Sequence, residues 1–217
     1  MDNNFYINIG RQLGSGGHQI GEMLARNLKV PFYDKELIDI ASQKSGLSKE
    51  LFEQADEKTT HSLLGGLFGF RSSFEEIYIS NYLCNETLFG IQSDTILELA
   101  KQGTCIFVGR CADYVLRDNK NCINVFINAK MEDRIRRVAG IQKVSENKAR
   151  DLIEKIDKKR AEYYNYYCRK TWGAAESYHL CINSSVLGIE GTVSFLNNFV
   201  QKVTTQHPEA NDATSQD

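Results

Sequence analysis

Ten residues near the N-terminus, Gly10-Arg-Gln-Leu-Gly14-Ser-Gly16-Gly17-His-Gln19, hold the densest potential for chemistry in the sequence. Glycines at 10, 14, 16 and 17 let backbone N–H groups converge on an anion, and a helix starting just after them adds about half a positive charge at its N-terminus. The implied chemistry is the cradling of phosphate by Gly14, Ser15, Gly16, Gly17, His18 and Gln19. An ordinary strand-to-helix turn is the simpler reading, but a plain turn needs fewer glycines. Two phosphate fingerprints fail on this stretch. Gly14 and Gly16 open G-x-G-x-x-G, yet Gln19 stands at the third glycine. Aligning Gly16 with the last glycine of G-x-x-x-x-G-K-[ST] puts Arg11 at the first glycine, Gly17 at the lysine and His18 at the hydroxyl. The cradle therefore lacks its usual cation and magnesium-orienting hydroxyl. Phosphoryl transfer needs little help from a base, so a surface or phosphate-donor role suits His18 better than that of a base.

Elsewhere the chemistry-bearing types are dispersed. Tyr163, Tyr164, Tyr166 and Tyr167, followed by Trp172, either line a pocket or pack helix faces against the core. The six cysteines, Cys84, Cys105, Cys111, Cys122, Cys168 and Cys181, show no C-x-x-C spacing and lie mostly in apolar segments, which reads as reduced, buried thiols. His18, His61, His179 and His207 are scattered, so no zinc site is expected.

The elements that must position the glycine turn follow from periodicity. Residues 5–9 form a β-branched and aromatic run that predicts a strand, and Ile20, Met23, Leu24 and Leu28 recur at helical spacing from Gly17 on. Val30-Pro31-Phe32-Tyr33 predicts a second extended segment, and Leu37, Ile38 and Ala41 a second helix. Residues 57–75 read as a connection in which Leu63, Leu64, Leu67, Phe68 and Phe70 form an apolar cluster, expected either to meet a second copy of the chain or to fold back on itself. A long helix over 74–100, apolar strands over 104–108, 123–127 and 178–182, and helices over 132–140, 145–169 and 189–203 complete the pattern, with Ser145 as a cap. Residues 204–217 are nearly devoid of apolar side chains and are expected to fray. Alternating strands and helices with apolar strands predict a three-layer α/β fold, a parallel sheet with helices on both faces.

Composition narrows the partners. Twenty-six Lys and Arg against 28 Asp and Glu leave a net charge of −2, which gives no broad basic surface for nucleic acid. No stretch reaches the ~20 apolar residues of a membrane span, and residues 1–4 lack the order of a secretory signal. A cytoplasmic protein without nucleic-acid or membrane partners is expected.

Taken in order, the glycine turn, Val30-Pro-Phe-Tyr-Asp34-Lys-Glu-Leu, Val108-Gly109-Arg110-Cys-Ala-Asp113, Asn128-Ala129-Lys-Met-Glu-Asp-Arg134-Ile-Arg-Arg137 and Asp157-Lys-Lys-Arg160 resemble the cytidylate kinase-like proteins, relatives of the P-loop nucleoside monophosphate kinases. The resemblance spans roughly residues 5–200. It implies a single P-loop kinase-like domain over 1–203, with a helical acceptor-side region at 35–100 and lid-like helices at 132–170. It places Arg110 near the acceptor phosphate, Asp157 and Arg160 at the acceptor, and Arg134 and Arg137 at a lid approaching the donor nucleotide. Two bland readings stand beside these roles: a solvated helix face for Arg134 and Arg137, and a surface ion pair for Asp157 and Arg160. Of the Asp-[ST]-Gly-x-x-Tyr-Arg pattern that cytidylate kinases carry after the second strand, this chain keeps Asp34 alone and has Ile40 at the arginine, which argues against cytidine monophosphate as acceptor.

The resemblance implies an ATP-dependent kinase of a nucleoside monophosphate or related small molecule. Arg11 or a lid arginine would supply the charge of the missing lysine, so Arg11, Arg110, Arg134 and Arg137 are the expected catalytic cations, and Asp34, Arg110, Asp157 and Arg160 the substrate-binding set. Magnesium would arrive with the nucleotide, Ser15 or Asp34 serving as outer ligands. The alternative is a nucleotide- or phosphate-binding regulatory module without transferase activity; a nicotinamide oxidoreductase is disfavoured by Gln19.

Overall fold

Among the described residues, β-branched and aromatic runs form five strands: β1 (Tyr6–Arg11), β2 (Phe32–Tyr33), β3 (Cys105–Val108), β4 (Cys122–Asn128) and β5 (Leu180–Asn183). The computed structural model describes residues 4–34, 36–46 and 74–206. All described strand pairs are parallel, in the order β2-β3-β1-β4-β5, with Ile7 opposite Ile106 and Ile123, and Ile9 opposite Val108 and Val125. The expected parallel sheet is present.

Side chains alternate across a strand, so this register gathers Ile7, Ile9, Ile106, Val108, Ile123, Val125 and Ile127 on one face. There α1 (Gly17–Leu28) and α7 (Ser184–Gln206) cover them with Ile20, Leu24, Val193, Leu196 and Val200. Each fully buried aliphatic side chain contributes about 1.5–3 kcal/mol. The opposite face carries Tyr6, Asn8, Phe107, Asn124 and Phe126. Phe126 meets Trp172 at 5.1 Å and Tyr178 at 5.0 Å between ring centroids. Tyr178 stacks in turn on Tyr164 of the long helix α6 (Glu146–Cys168). Helices thus flank both faces.

Beyond the sheet, α5 (Met131–Gln142) and α6 pack through Ile135, Val138, Ala149 and Ile153, with Leu13 of the glycine turn lodged against that cluster. A short helix, α4 (Ala112–Val115), follows β3. The chain divides into two compact units, Met1–Tyr33 with Gln102–Asp217, and Asp34–Lys101. In the second, α2 (Glu36–Ser45) lies against α3 (Phe74–Ala100), and Lys44 pairs with Glu98 on their exposed sides.

Several boundaries differ from expectation for local reasons. Gly140 does not end α5; the helix continues to Gln142 and Lys143 takes the left-handed terminal conformation instead, at φ 53°. α7 is two helical segments joined at Gly188, whose φ of 68° is not helical, so the expected start at 189 holds for the second segment, which runs through Gln206, past the expected end at 203. Ser145 caps α6 as predicted, accepting from the Lys148 N–H at 3.4 Å. Cys105, Cys111, Cys122 and Cys168 are buried free thiols and Cys181 a half-buried one, while the Cys84 side chain and the apolar cluster at 63–70 lie outside the described residues.

Candidate functional site

β1 runs straight into the glycine turn. The Gln12 N–H still bonds the Ile127 carbonyl at 3.1 Å, but the Gln12 carbonyl then accepts from both the Ser15 N–H at 3.2 Å and the Ser15 Oγ at 2.8 Å, closing a turn. Gly14 and Gly16 sit at φ 77° and 80°, where a Cβ is strained. The Ile20 N–H bonds the Gly16 carbonyl at 2.9 Å and α1 begins.

Three arginines and a serine hold the carbonyls of this turn. Arg134 donates from Nε to the Leu13 carbonyl at 2.8 Å and pairs through Nη2 with Asp157, whose Oδ1 accepts the Leu13 N–H at 2.8 Å. Both backbone groups of Leu13 are thus bracketed by one buried ion pair. Arg137 donates to the Gly14 carbonyl at 2.7 Å and Arg160 to the Arg11 carbonyl at 3.3 Å. Ser184 Oγ donates to the Ser15 carbonyl at 2.6 Å. In a trans peptide the C=O and N–H point in opposite directions. Holding the Leu13 and Ser15 carbonyls therefore turns the N–H groups of Gly14 and Gly16 the other way, and neither meets an acceptor among the described residues. Open amides at a helix N-terminus are suited to phosphate oxygens.

The sequence matches the cytidylate kinase-like family over residues 6–186. The chain belongs to that family. Among solved structures, one neighbour is an uncharacterized protein from Eubacterium ventriosum, 26% identical, aligned over 91% of this chain and 98% of its own with a TM-score of 0.68. The shikimate kinase from Bacteroides thetaiotaomicron shares the fold at 18% identity and TM-score 0.52, over 91% of this chain and 98% of its own. No curated protein matches the sequence.

The family's motif residues are not deployed as a simple phosphate-facing set. Arg134 is only 4% exposed, so the solvated-face reading fails for it, and it serves the turn's own backbone. The surface-pair reading of Asp157 with Arg160 fails too: Asp157 pairs with Arg134 and binds the Leu13 amide, while Arg160 reaches the Arg11 carbonyl. Burial pushes the Asp157 carboxyl up, and the Leu13 amide and the neighbouring guanidinium groups oppose that shift. Arg110 lies in the turn after β3, where Gly109, Arg110 and Cys111 take φ of 75°, 59° and 55° in succession. Two left-handed non-glycine residues together cost roughly 2–4 kcal/mol, the kind of strain kept where a side chain must be presented. His18 and Gln19 are exposed, the His18 ring edge-on to Phe32 at 5.4 Å. Asp34 is buried at the start of the second unit.

Ser15 departs from the role of magnesium ligand. Its hydroxyl is fully buried, donates to the Gln12 carbonyl and accepts the Gly17 N–H at 3.3 Å. Among the described residues no group of three His, Cys, Asp or Glu side chains could hold a metal ion. No described helix is long and apolar enough to cross a membrane.

Two participants, Ser184 and Gln12, escaped sequence reasoning. Ser184 is fully buried against the turn, and the cluster Asn183-Ser184-Ser185 directly after a strand was its available signal. Gln12 carries no motif, yet its carbonyl closes the turn and its Oε1 accepts the Ala129 N–H at 3.3 Å. On the aromatic face of the sheet, Tyr164 donates to the buried Asp113 at 2.6 Å. Burial pushes the Asp113 carboxyl up, and likewise both Tyr164 and Tyr178. The tyrosine run thus divides between the two expected uses: Tyr164 is core, whereas Tyr166 is exposed and edge-on to Tyr167. The Cys105 and Cys122 thiols are pushed by burial up to about 12 and about 11, which removes them as nucleophiles near neutral pH.

Proposed function

We propose that this cytidylate kinase-like protein is a cytoplasmic phosphotransferase that moves the γ-phosphoryl group of ATP to a small-molecule acceptor, a nucleoside monophosphate or a related compound. The observation that carries the reading is the pair of open amides at Gly14 and Gly16, whose peptides are held through their carbonyls by Arg134 and Ser184 at the N-terminus of α1. In-line phosphoryl transfer asks for positioning and charge neutralisation more than for covalent help. The glycine turn and the first turn of α1, through Gln19, supply fixed dipoles for the donor phosphates. Arg110, half-buried in its left-handed turn, is assigned to the acceptor phosphate, where a guanidinium binds two oxygens at once and never deprotonates. Magnesium is carried in on the nucleotide, and no step is assigned to a protein-held metal.

Incubation with labelled ATP and a panel of nucleotides and small alcohols tests the reading. The expected result is ADP formation that depends on one acceptor class and vanishes in Arg110→Ala without loss of the fold; turnover unchanged in that variant removes the assignment of Arg110. The glycine at position 17, where a P-loop places lysine, is the observation that favours a second reading, a nucleotide-binding module without transfer. ATP binding with no turnover on any acceptor would establish it.

A further inference from the structure

The absence of a lysine at the first residue of α1 has a steric cause. A Cβ on Gly17 would come within 2.5 Å of Arg11 Cβ, an approach that real side chains do not make, and within a tight 3.0 Å of its Cγ. Backbone conformation does not demand glycine there, because Gly17 opens α1 without the left-handed φ of Gly14 and Gly16. Lysine is also the better helix former. The stem of Arg11 is what excludes a side chain at position 17.

The same side chain ends beside the turn that follows β3. A Cβ on Gly109 would lie 2.0 Å from Arg11 Nη1 and 3.1 Å from its Cζ. Arg11 therefore extends from the first residue of α1 to the base of the turn that carries Arg110. Three further guanidinium groups at the glycine turn, those of Arg134, Arg137 and Arg160, each donate to a carbonyl of residues 11–14.

We infer that Arg11 and Gly17 have exchanged the parts that a P-loop gives to its first glycine and its lysine. Arg11 is the cation of the phosphate site, and Gly17 is glycine so that the Arg11 stem can cross α1. The inference rests on the phosphotransferase reading and names the group that neutralises the transferring phosphate. In that step the bond from the γ-phosphorus to the bridging oxygen breaks with its electron pair leaving on ADP. A new bond forms to the acceptor oxygen, any proton on it passing to water, while the Arg11 guanidinium offsets charge on the transferred group.

Exchanging the two residues back provides the test. Titration calorimetry with MgATP is run on the wild type, Arg11→Gly, and the double variant Arg11→Gly with Gly17→Lys. The expected result is binding by the wild type, a loss of about tenfold or more in Arg11→Gly, and recovery of most affinity and turnover in the double variant. An Arg11→Gly protein that binds and turns over as the wild type does, or a double variant no better than the single, overturns the inference. A wild type that binds no MgATP overturns the phosphotransferase reading and this inference with it. Thermal melts supply a readout independent of activity. Gly17→Ala is expected to lower Tm in the wild type and much less in the Arg11→Gly background, whereas equal losses in both backgrounds overturn the proposed steric exchange.

Discussion

The aliphatic face of the sheet and the clamp around the glycine turn hold this protein by opposite kinds of force. On the aliphatic face Ile7, Ile9, Ile106, Val108 and their partners under α1 and α7 contribute by area, and no single contact has a required direction. At the clamp, Arg134, Arg137, Arg160, Asp157 and Ser184 contribute through hydrogen bonds whose geometry fixes which way each peptide of the turn faces. The difference teaches where substitution is tolerated. A shape-preserving change on the first face alters stability alone, whereas a charge-preserving change at the clamp alters the display of amides as well.

Arg134→Ala is expected to have the largest effect. It leaves Asp157 and the Leu13 carbonyl buried without their partner, and about 3–5 kcal/mol of stability to denaturant is expected to go. Arg134→Lys should recover little of it, because a single ammonium cannot span both Asp157 and the Leu13 carbonyl as a guanidinium fork does; full recovery would show the clamp to be non-directional after all. Tyr164→Phe tests the polar aromatic face, where the buried Asp113 would lose its donor, and about 1–3 kcal/mol should be lost in the same assay. Ile106→Val, on the aliphatic face, is expected to cost about 1 kcal/mol and to leave any MgATP affinity untouched. Ser184→Ala should cost about 0.5–1 kcal/mol yet weaken MgATP binding, since the Ser15–Gly16 peptide is then free to turn. Ile106→Val and Ser184→Ala shifting stability and affinity in the same proportion would erase the distinction between the two regions.

The smallest effect is one of pH. The folded-state Asp113 carboxyl lies above its ordinary value of 3.8 because burial penalises its charge. The folded protein therefore holds that proton more tightly than the unfolded chain does. Its contribution is fully present below about pH 4 and is lost as pH rises through the raised value. Asp113→Asn should remove that loss, so the Tm of the wild type relative to the variant is expected to fall as pH climbs out of the acid range. A difference that stays level with pH would assign Asp113 an ordinary titration.

Much of the layered architecture was written in the residue pattern. Continuous apolar runs such as Cys105-Ile-Phe-Val108 can be buried on both faces only in a parallel sheet covered by helices, and the spacing of Ile20, Leu24 and Leu28 admits a helix against that sheet. The glycine turn was legible for a similar reason: several residues without Cβ in a short span have few uses other than a tight, backbone-lined bend. Helix ends were less legible, since Lys143 rather than Gly140 terminates α5 and basic residues at left-handed helix ends leave no distinctive sequence mark.

Composition and periodicity, then, determined the α/β class, the strands, and the existence of a backbone-lined turn, because those depend on which side chains can be buried together at a fixed period. Only the tertiary structure decided what the arginines do. Arg134, Arg137 and Arg160 lie more than 120 residues from the turn whose carbonyls they hold, and Arg11 blocks a position six residues away in the chain. Such pairings depend on the docking of α5 and α6 beside β1, a long-range packing choice that spacing along one chain does not encode.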